Sequence, residues 1–167
     1  AAYGGIMTGG AIQNNTGHRG AAVNIYSDDR DKRAIFTLED DGLITRNTGI
    51  SANGNEAGGA VFVEDNAAFH MIGGTVSANK ASKGGGICIV DSALQRGTAE
   101  YGTEFLMDGG VISGNRAGTG GGIYSFSNGS FLRSGKIINN TATYSGGGLY
   151  SEGKALMVTA LPIYIIP

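Results

Sequence analysis

Residues 105–126 read FLMDGGVISGNRAGTGGGIYSF, and three short apolar beats run through them. Phe105 and Met107 form the first. Ile112, followed three places later by Asn115, forms the second. Ile123, just after Gly120, Gly121 and Gly122, forms the third. Each beat alternates over three or four residues, as a short strand does. Glycine or asparagine stands between beats, where the chain must turn with positive φ. No stretch holds a 3.6-residue period over a useful length, and helix propensity is poor throughout.

The same pattern recurs on both sides. Segments 5–26, 43–64, 69–90 and 131–152 align with it, the last with one deletion and one insertion. The five starts lie 38, 26, 36 and 26 residues apart. The basic period is therefore 26, with insertions at about 27–42 and 91–104 that leave at the same place in the repeat. Such a period in a glycine-rich chain is the mark of a repeat architecture. Three strands and three corners per period predict an all-β fold, a right-handed parallel β-helix (solenoid) of five to six coils with two loop insertions. Residues 1–167 then form a single domain, with 154–167 as a partial sixth coil or cap. One coil rises by about 4.8 Å, so five coils make a rod roughly 24 Å long.

In such a stack each alignment column becomes a ladder, and no repeat buries its own face alone. Phe69, Phe105 and Phe131 are expected inside. So are Ile50, Val76, Ile112 and Ile137, and Val61, Ile87, Ile123 and Leu149. The asparagine column pairs Ile12 with Asn15, Ile50 with Asn53, Val76 with Asn79, Ile112 with Asn115 and Ile137 with Asn140. Stacked asparagine amides can hydrogen-bond in series along the axis, a structural role.

The glycine clusters Gly58-Gly59-Ala60-Val61, Gly85-Gly86-Ile87, Gly121-Gly122-Ile123 and Gly147-Gly148-Leu149, paired with the Ile-x-x-Asn beat, resemble the repeats of the chlamydial polymorphic outer-membrane proteins. Those carry Gly-Gly-Ala-Ile and Phe-x-x-Asn; here Ile or Val replaces the Phe in every copy. Bacterial secreted β-helix proteins with Ile-Ser-Gly-Asn and Gly-Gly-Gly-Ile-Tyr repeats are similar too, through Ile112-Ser113-Gly114-Asn115 and Gly120-Gly121-Gly122-Ile123-Tyr124. The resemblance spans about residues 5–152. It implies a secreted or cell-surface bacterial protein, an adhesin passenger or stalk, meeting a surface protein or glycan of a host or neighbouring cell.

If Val23, Val61, Ile87, Ile123 and Leu149 point inward, the next position points outward. That column reads Asn24, Phe62, Cys88, Tyr124 and Tyr150; two places on it reads Tyr26, Glu64, Val90, Phe126 and Glu152. An apolar face of this kind marks a contact site or lies under an insertion. Phe62, Tyr124, Tyr150 and Phe126 are the candidate binding residues, for a partner, a second copy or a sugar ring. Cys88 reads as a small apolar filler, or else as a cross-link between copies.

Acidic residues crowd the first insertion. Asp28, Asp29, Asp31, Asp40 and Asp41, with Glu39, are candidate calcium ligands, since that ion takes six to eight oxygens. Their spacing fits neither an EF-hand nor a calcium nonapeptide, and Arg30, Lys32 and Arg33 lie among them, so a solvated loop without cofactor is expected. Ile35-Phe36-Thr37-Leu38 alternates and suggests a small added strand. The outward acids Glu64 and Glu152 stand three to four coils apart, too far for a two-carboxylate glycosidase. Glu104 and Asp108 have no evident partners. His18 and His70 fall in different columns, and no Ser-His-Asp set arises. A non-catalytic role in adhesion, structure or self-association is expected. The alternatives are a polysaccharide-binding or polysaccharide-degrading protein, or an ice-binding solenoid, which would need a regular outward threonine ladder.

Composition agrees. Of 167 residues 31 are glycine and only 2 proline, which excludes collagen and proline-rich linkers. A net charge of −2 argues against nucleic acid as a partner. One cysteine excludes an internal disulfide framework. No apolar run is long enough to span a membrane as a helix. The opening AAYGGIMTGG has neither the basic nor the long apolar region of a signal peptide. The apolar tail LPIYIIP (161–167) is expected to cap the open end, pair with another chain or continue into a longer rod.

Overall fold

A computed structural model describes residues 3–29, 31–50, 58–91, 102–127, 129–152, 156–158 and 163–166, and among them the protein is all-β, with no helix. The first repeat supplies β1 (Tyr3–Met7), β2 (Ala11–Gln13), β3 (Thr16–Gly17) and β4 (Val23–Ile25). The second supplies β5 (Ala34–Leu38), β6 (Leu43–Thr45), β7 (Thr48–Gly49) and β8 (Val61–Glu64). The third holds β9 (Ala67–Met71), β10 (Thr75–Ser77) and β11 (Ile87–Val90). The fourth holds β12 (Glu104–Ser113), β13 (Arg116–Thr119) and β14 (Ile123–Phe126). The fifth holds β15 (Gly129–Ile138), β16 (Thr141–Ser145) and β17 (Leu149–Ser151). Beyond it come β18 (Leu156–Val158) and β19 (Ile163–Ile166).

Every strand pairing among these is parallel and joins equivalent strands of successive repeats. One stack runs β1-β5-β9-β12-β15-β18, and a second runs β2-β6-β10-β12-β15-β19. The ten-residue strands β12 and β15 pass through both, with register shifts between Met107 and Val111 where they turn the corner. A third stack runs β4-β8-β11-β14-β17. A short fourth stack joins β3 to β7 and β13 to β16, with Lys80 bridging Thr48 and Arg116. Between two strands of one stack the chain travels through the others, which supplies the long crossover that parallel pairing requires.

The inward columns form one apolar cluster. Phe36, Phe69 and Phe105 stack in register, with ring centroids 6.2 Å and 5.7 Å apart. Leu38, Met71, Met107 and Leu132 make the next column, fully buried, and Ile12, Ile44, Val76, Ile112 and Ile137 fill the second stack. Ser130 takes the place of the next phenylalanine. Its hydroxyl lies 2.8 Å from that of Ser125 and 3.1 Å from that of Ser127, so the three buried hydroxyls satisfy one another.

The asparagine ladder runs through all five repeats. Side-chain amides of Asn15, Asn47, Asn79 and Asn115 donate to the Oδ1 of the next asparagine at 2.9, 3.1, 3.0 and 3.0 Å, ending on Asn140. The same Oδ1 atoms accept the backbone N–H of the preceding asparagine. Each amide from Asn47 onward also donates to the carbonyl of an apolar residue one repeat back, namely Ile12, Ile44, Val76 and Ile112. A planar amide with two donors and a two-lone-pair acceptor meets this requirement. The residue before each asparagine (Asn14, Arg46, Ala78, Gly114, Asn139) turns the corner with φ between 52° and 63°. The glycine cluster is explained by the same ladder: a Cβ on Gly86 would press on the Asn115 amide at 3.1 Å, and one on Gly122 on that of Asn140 at 3.0 Å.

The structure corrects three readings. The second rung of the ladder is Ile44 with Asn47, not Ile50 with Asn53; Ile50 is 41% exposed and residue 53 lies outside the described residues. The segment 27–42 is not wholly an insertion, because its Ala34–Leu38 is β5, paired with β1 and β9. Phe131 is not in the phenylalanine column; it pairs with Leu106 on the outer side, one residue out of register with Phe105. The tail agrees with the expected partial sixth coil, because Leu156–Val158 and Ile163–Ile166 add a further rung to the first two stacks. Of the other insertion, 91–104, residues 92–101 lie outside the described residues.

Candidate functional site

The candidate binding row lies on the outer side of the third stack, where parallel register sets Asn24, Phe62, Cys88, Tyr124 and Tyr150 side by side. The structure thus brings the aromatics together as expected, but it does not expose them all. Phe62 and Tyr124 are only 4% and 5% exposed, Cys88 is fully buried, and the three form a second apolar cluster. Free display on the surface is therefore wrong for Phe62 and Tyr124. Tyr150 and Phe126 are partly exposed and pack against that cluster.

Within the row, Tyr124 and Tyr150 stack with centroids 5.5 Å apart and planes 10° from parallel. Lys83 Nζ stands 5.0 Å from the Tyr124 ring centre, a cation on its face. The Tyr124 hydroxyl donates to Glu152 Oε2 at 2.9 Å. Burial, then the Glu152 carboxylate, pushes the Tyr124 phenol well above its usual range. Burial does the same to the Cys88 thiol, which is fully buried and packs with Phe62 and Tyr124.

The row ends in a polar hollow at β4. Arg19 Nη1 lies 3.2 and 3.1 Å from the two Glu64 oxygens, and Asn24 and Tyr26 stand beside them. Burial raises the Glu64 carboxyl, and Arg19 pulls it back down. Glu64 on β8 and Glu152, one residue past β17, are three strand spacings apart, about 14 Å, outside the window for a glycosidic carboxylate pair.

The structure gives Glu104 the partners that its sequence neighbourhood lacks. Glu104 Oε1 lies 2.9 Å from His70 Nε2, and Arg33 Nη1 donates to Glu104 Oε2 at 3.3 Å. Arg33 Nη2 also donates to the Gly102 carbonyl at 3.0 Å. The His70 hydrogen bond holds the Glu104 carboxyl below the usual carboxylate range; burial opposes this and the Arg33 charge reinforces it. Both oxygens of this carboxylate are engaged, one by His70 and one by Arg33. Sequence reasoning missed it because Arg33 seemed to lie in a loop. The signal was the Phe36-x-Leu38 alternation, which matches Phe69-x-Met71 and puts Arg33 at the foot of a rung.

The five candidate calcium aspartates do not come together. Asp28, Asp29 and Asp31 lie between β4 and β5, and Asp40 and Asp41 lie past the far end of β5, a strand about 13 Å long. Asp29 is bridged to Lys32 at 3.1 Å. Among the described residues no three His, Cys, Asp or Glu converge as a metal site. No helix among them is long and apolar enough to cross a membrane. Comparison with family models, curated proteins and solved structures finds no match to this chain.

Proposed function

We propose that the four stacks are the faces of a right-handed parallel β-helix, and that the chain is a non-catalytic, secreted or cell-surface bacterial module for adhesion or structure. The asparagine ladder carries this reading. It spans all five repeats, and each interior amide uses its whole hydrogen-bonding capacity on its neighbours. Its chemistry is continuity along an axis, and nothing in it is left for a substrate. The handedness follows from the strong right-handed preference of parallel crossovers within one sheet. The outer carboxylates support a non-catalytic role, since Glu104 is clamped by Arg33 and His70 and Glu64 by Arg19. The resemblance to polymorphic outer-membrane protein repeats agrees with it.

The test is retention and turnover on the same material. The fluorescently labelled chain is passed over immobilised glycans and over intact host and bacterial cells, and the soluble glycans are assayed for chain cleavage. Saturable retention without cleavage is the expected result. Cleavage that disappears in Glu104→Gln overturns the non-catalytic reading, and retention on nothing overturns the adhesive one.

A further inference from the structure

The ladder corner and the short fourth stack carry charge of one sign. Residues 11–17, 43–49, 75–81, 111–117 and 136–142 contain Arg46, Lys80, Arg116 and Lys136 and not one Asp or Glu, although the whole chain carries 14 carboxylates. All four cations are exposed. Among the described residues the ion pairs lie elsewhere, on Arg19, Lys32, Arg33 and His70. Arg46 instead donates to Gln13 Oε1. The parallel register runs Thr16, Thr48, Lys80, Arg116, Thr141, so Lys80 and Arg116 are directly opposite each other on neighbouring rungs. Like charges set opposite in a sheet repel, and among the described residues neither cation has an ion-pair partner to offset this.

A large ring stands beside this pair. Tyr144 on β16 is 82% exposed, the most exposed large apolar side chain among the described residues. A Cβ built on Gly118 would lie 3.5 Å from two carbons of that ring, so the ring sits over bare backbone. Gly118 is two residues beyond Arg116 and faces the same way by strand alternation. Lys80, Arg116 and the face of Tyr144 are thus one patch, flanked by the exposed Thr141 and the partly exposed Thr48.

We infer that this face binds an acidic polysaccharide, with carboxylate or sulfate groups on Lys80 and Arg116 and a sugar ring stacked on Tyr144. The charge spacing favours this polymer. Lys80 and Arg116 stand one strand spacing apart, about 4.8 Å, which suits one acid per sugar in an extended chain. Duplex DNA presents a charge about every 1.7 Å and would need a wider cationic field. The inference rests on the non-catalytic binding reading and deepens it by naming the ligand class.

The full chain is titrated with alginate, which carries one carboxylate on each sugar, and with neutral dextran, duplex DNA and phosphatidylserine vesicles. Alginate binding that weakens steeply with salt, and no binding to dextran, is expected. Lys80→Gln with Arg116→Gln should lower alginate affinity at least tenfold, and Tyr144→Ala several-fold. A matched charge control, Lys32→Gln with Arg133→Gln, should leave it within twofold. The Lys80/Arg116 double variant should melt no lower than wild type, because it removes a repelling pair. No saturable alginate binding, binding indifferent to the double variant, or tighter binding to DNA or vesicles overturns the inference. Retention on cells that survives the double variant sinks this inference alone, whereas alginate cleavage sinks the non-catalytic reading.

Discussion

Asn79 shows how much one side chain holds. It is 1% exposed, its Oδ1 accepts the Asn47 backbone and side-chain N–H groups, and its amide donates to Ile44 O and Asn115 Oδ1. Asn79→Ala orphans several of these at once. At roughly 1–3 kcal/mol for each buried unsatisfied group, the expected loss is about 3–5 kcal/mol, read as a lower urea midpoint. Asn79→Asp keeps the shape but aims a lone pair at two acceptors. It should lose at least as much at neutral pH and recover part on acidification, when the carboxyl regains a proton to donate. Ala78, one residue earlier, makes the opposite case. Its φ of 52° lies in the left-handed region, which strains an alanine and not a glycine. Ala78→Gly should therefore raise stability by about 0.5–1 kcal/mol, after allowing for the extra freedom glycine has when unfolded.

At the scale of the strand, register decides which face a residue takes, and two phenylalanines test it. Phe105 is fully buried against Phe69, whereas Phe131 in the next strand pairs with Leu106 and faces outward. Phe105→Ala should cost about 3–5 kcal/mol, with a cavity left behind. Phe131→Ala should cost about 1 kcal/mol, in line with partial burial. Equal losses in thermal unfolding would place both rings inside. The period, the parallel strands and the asparagine and glycine columns were legible in the sequence because each recurs at a fixed position relative to a corner. The second rung was not. From Asn47 to Val61 are 14 residues, against 8 from Asn15 to Val23, Asn79 to Ile87 and Asn115 to Ile123. Aligning on the glycines rather than on the asparagine moved the extra length to the wrong corner, so β5 read as a small strand added within an insertion and Arg33 as part of its loop. The slip at Phe131 has a related cause. A one-residue shift reverses inside and outside, and Phe131-Leu132 offers an apolar residue to either face. For Phe62 and Tyr124 the sequence left a contact face and a covered face as alternatives, since alternation tells which way a side chain points and not what lies over it.

Across the molecule, two glutamates give the pH dependence opposite signs. Arg33, His70 and Glu104 tie together three successive rungs, because Arg33 precedes β5, His70 lies on β9 and Glu104 on β12. The folded Glu104 carboxyl titrates below its ordinary value of 4.5, which it keeps in the unfolded chain. Its contribution is therefore fully present above that value and disappears as pH falls through the lower, folded one. Glu64 titrates above 4.5 when folded, because burial outweighs Arg19. Its charged form opposes folding at neutral pH, and the chain regains that stability as pH falls through the raised value. Urea midpoints measured between about pH 3 and pH 7 separate the two by differences from wild type. Glu104→Gln should flatten the acid-side loss and leave the gain from Glu64 visible. Glu64→Gln should remove that gain and make the acid-side loss steeper. Identical pH profiles for wild type and Glu104→Gln would mean that the Arg33–Glu104–His70 clamp carries no linkage between rungs. In that case neighbouring repeats are held together by the parallel strand pairing, the asparagine ladder and the apolar columns without it.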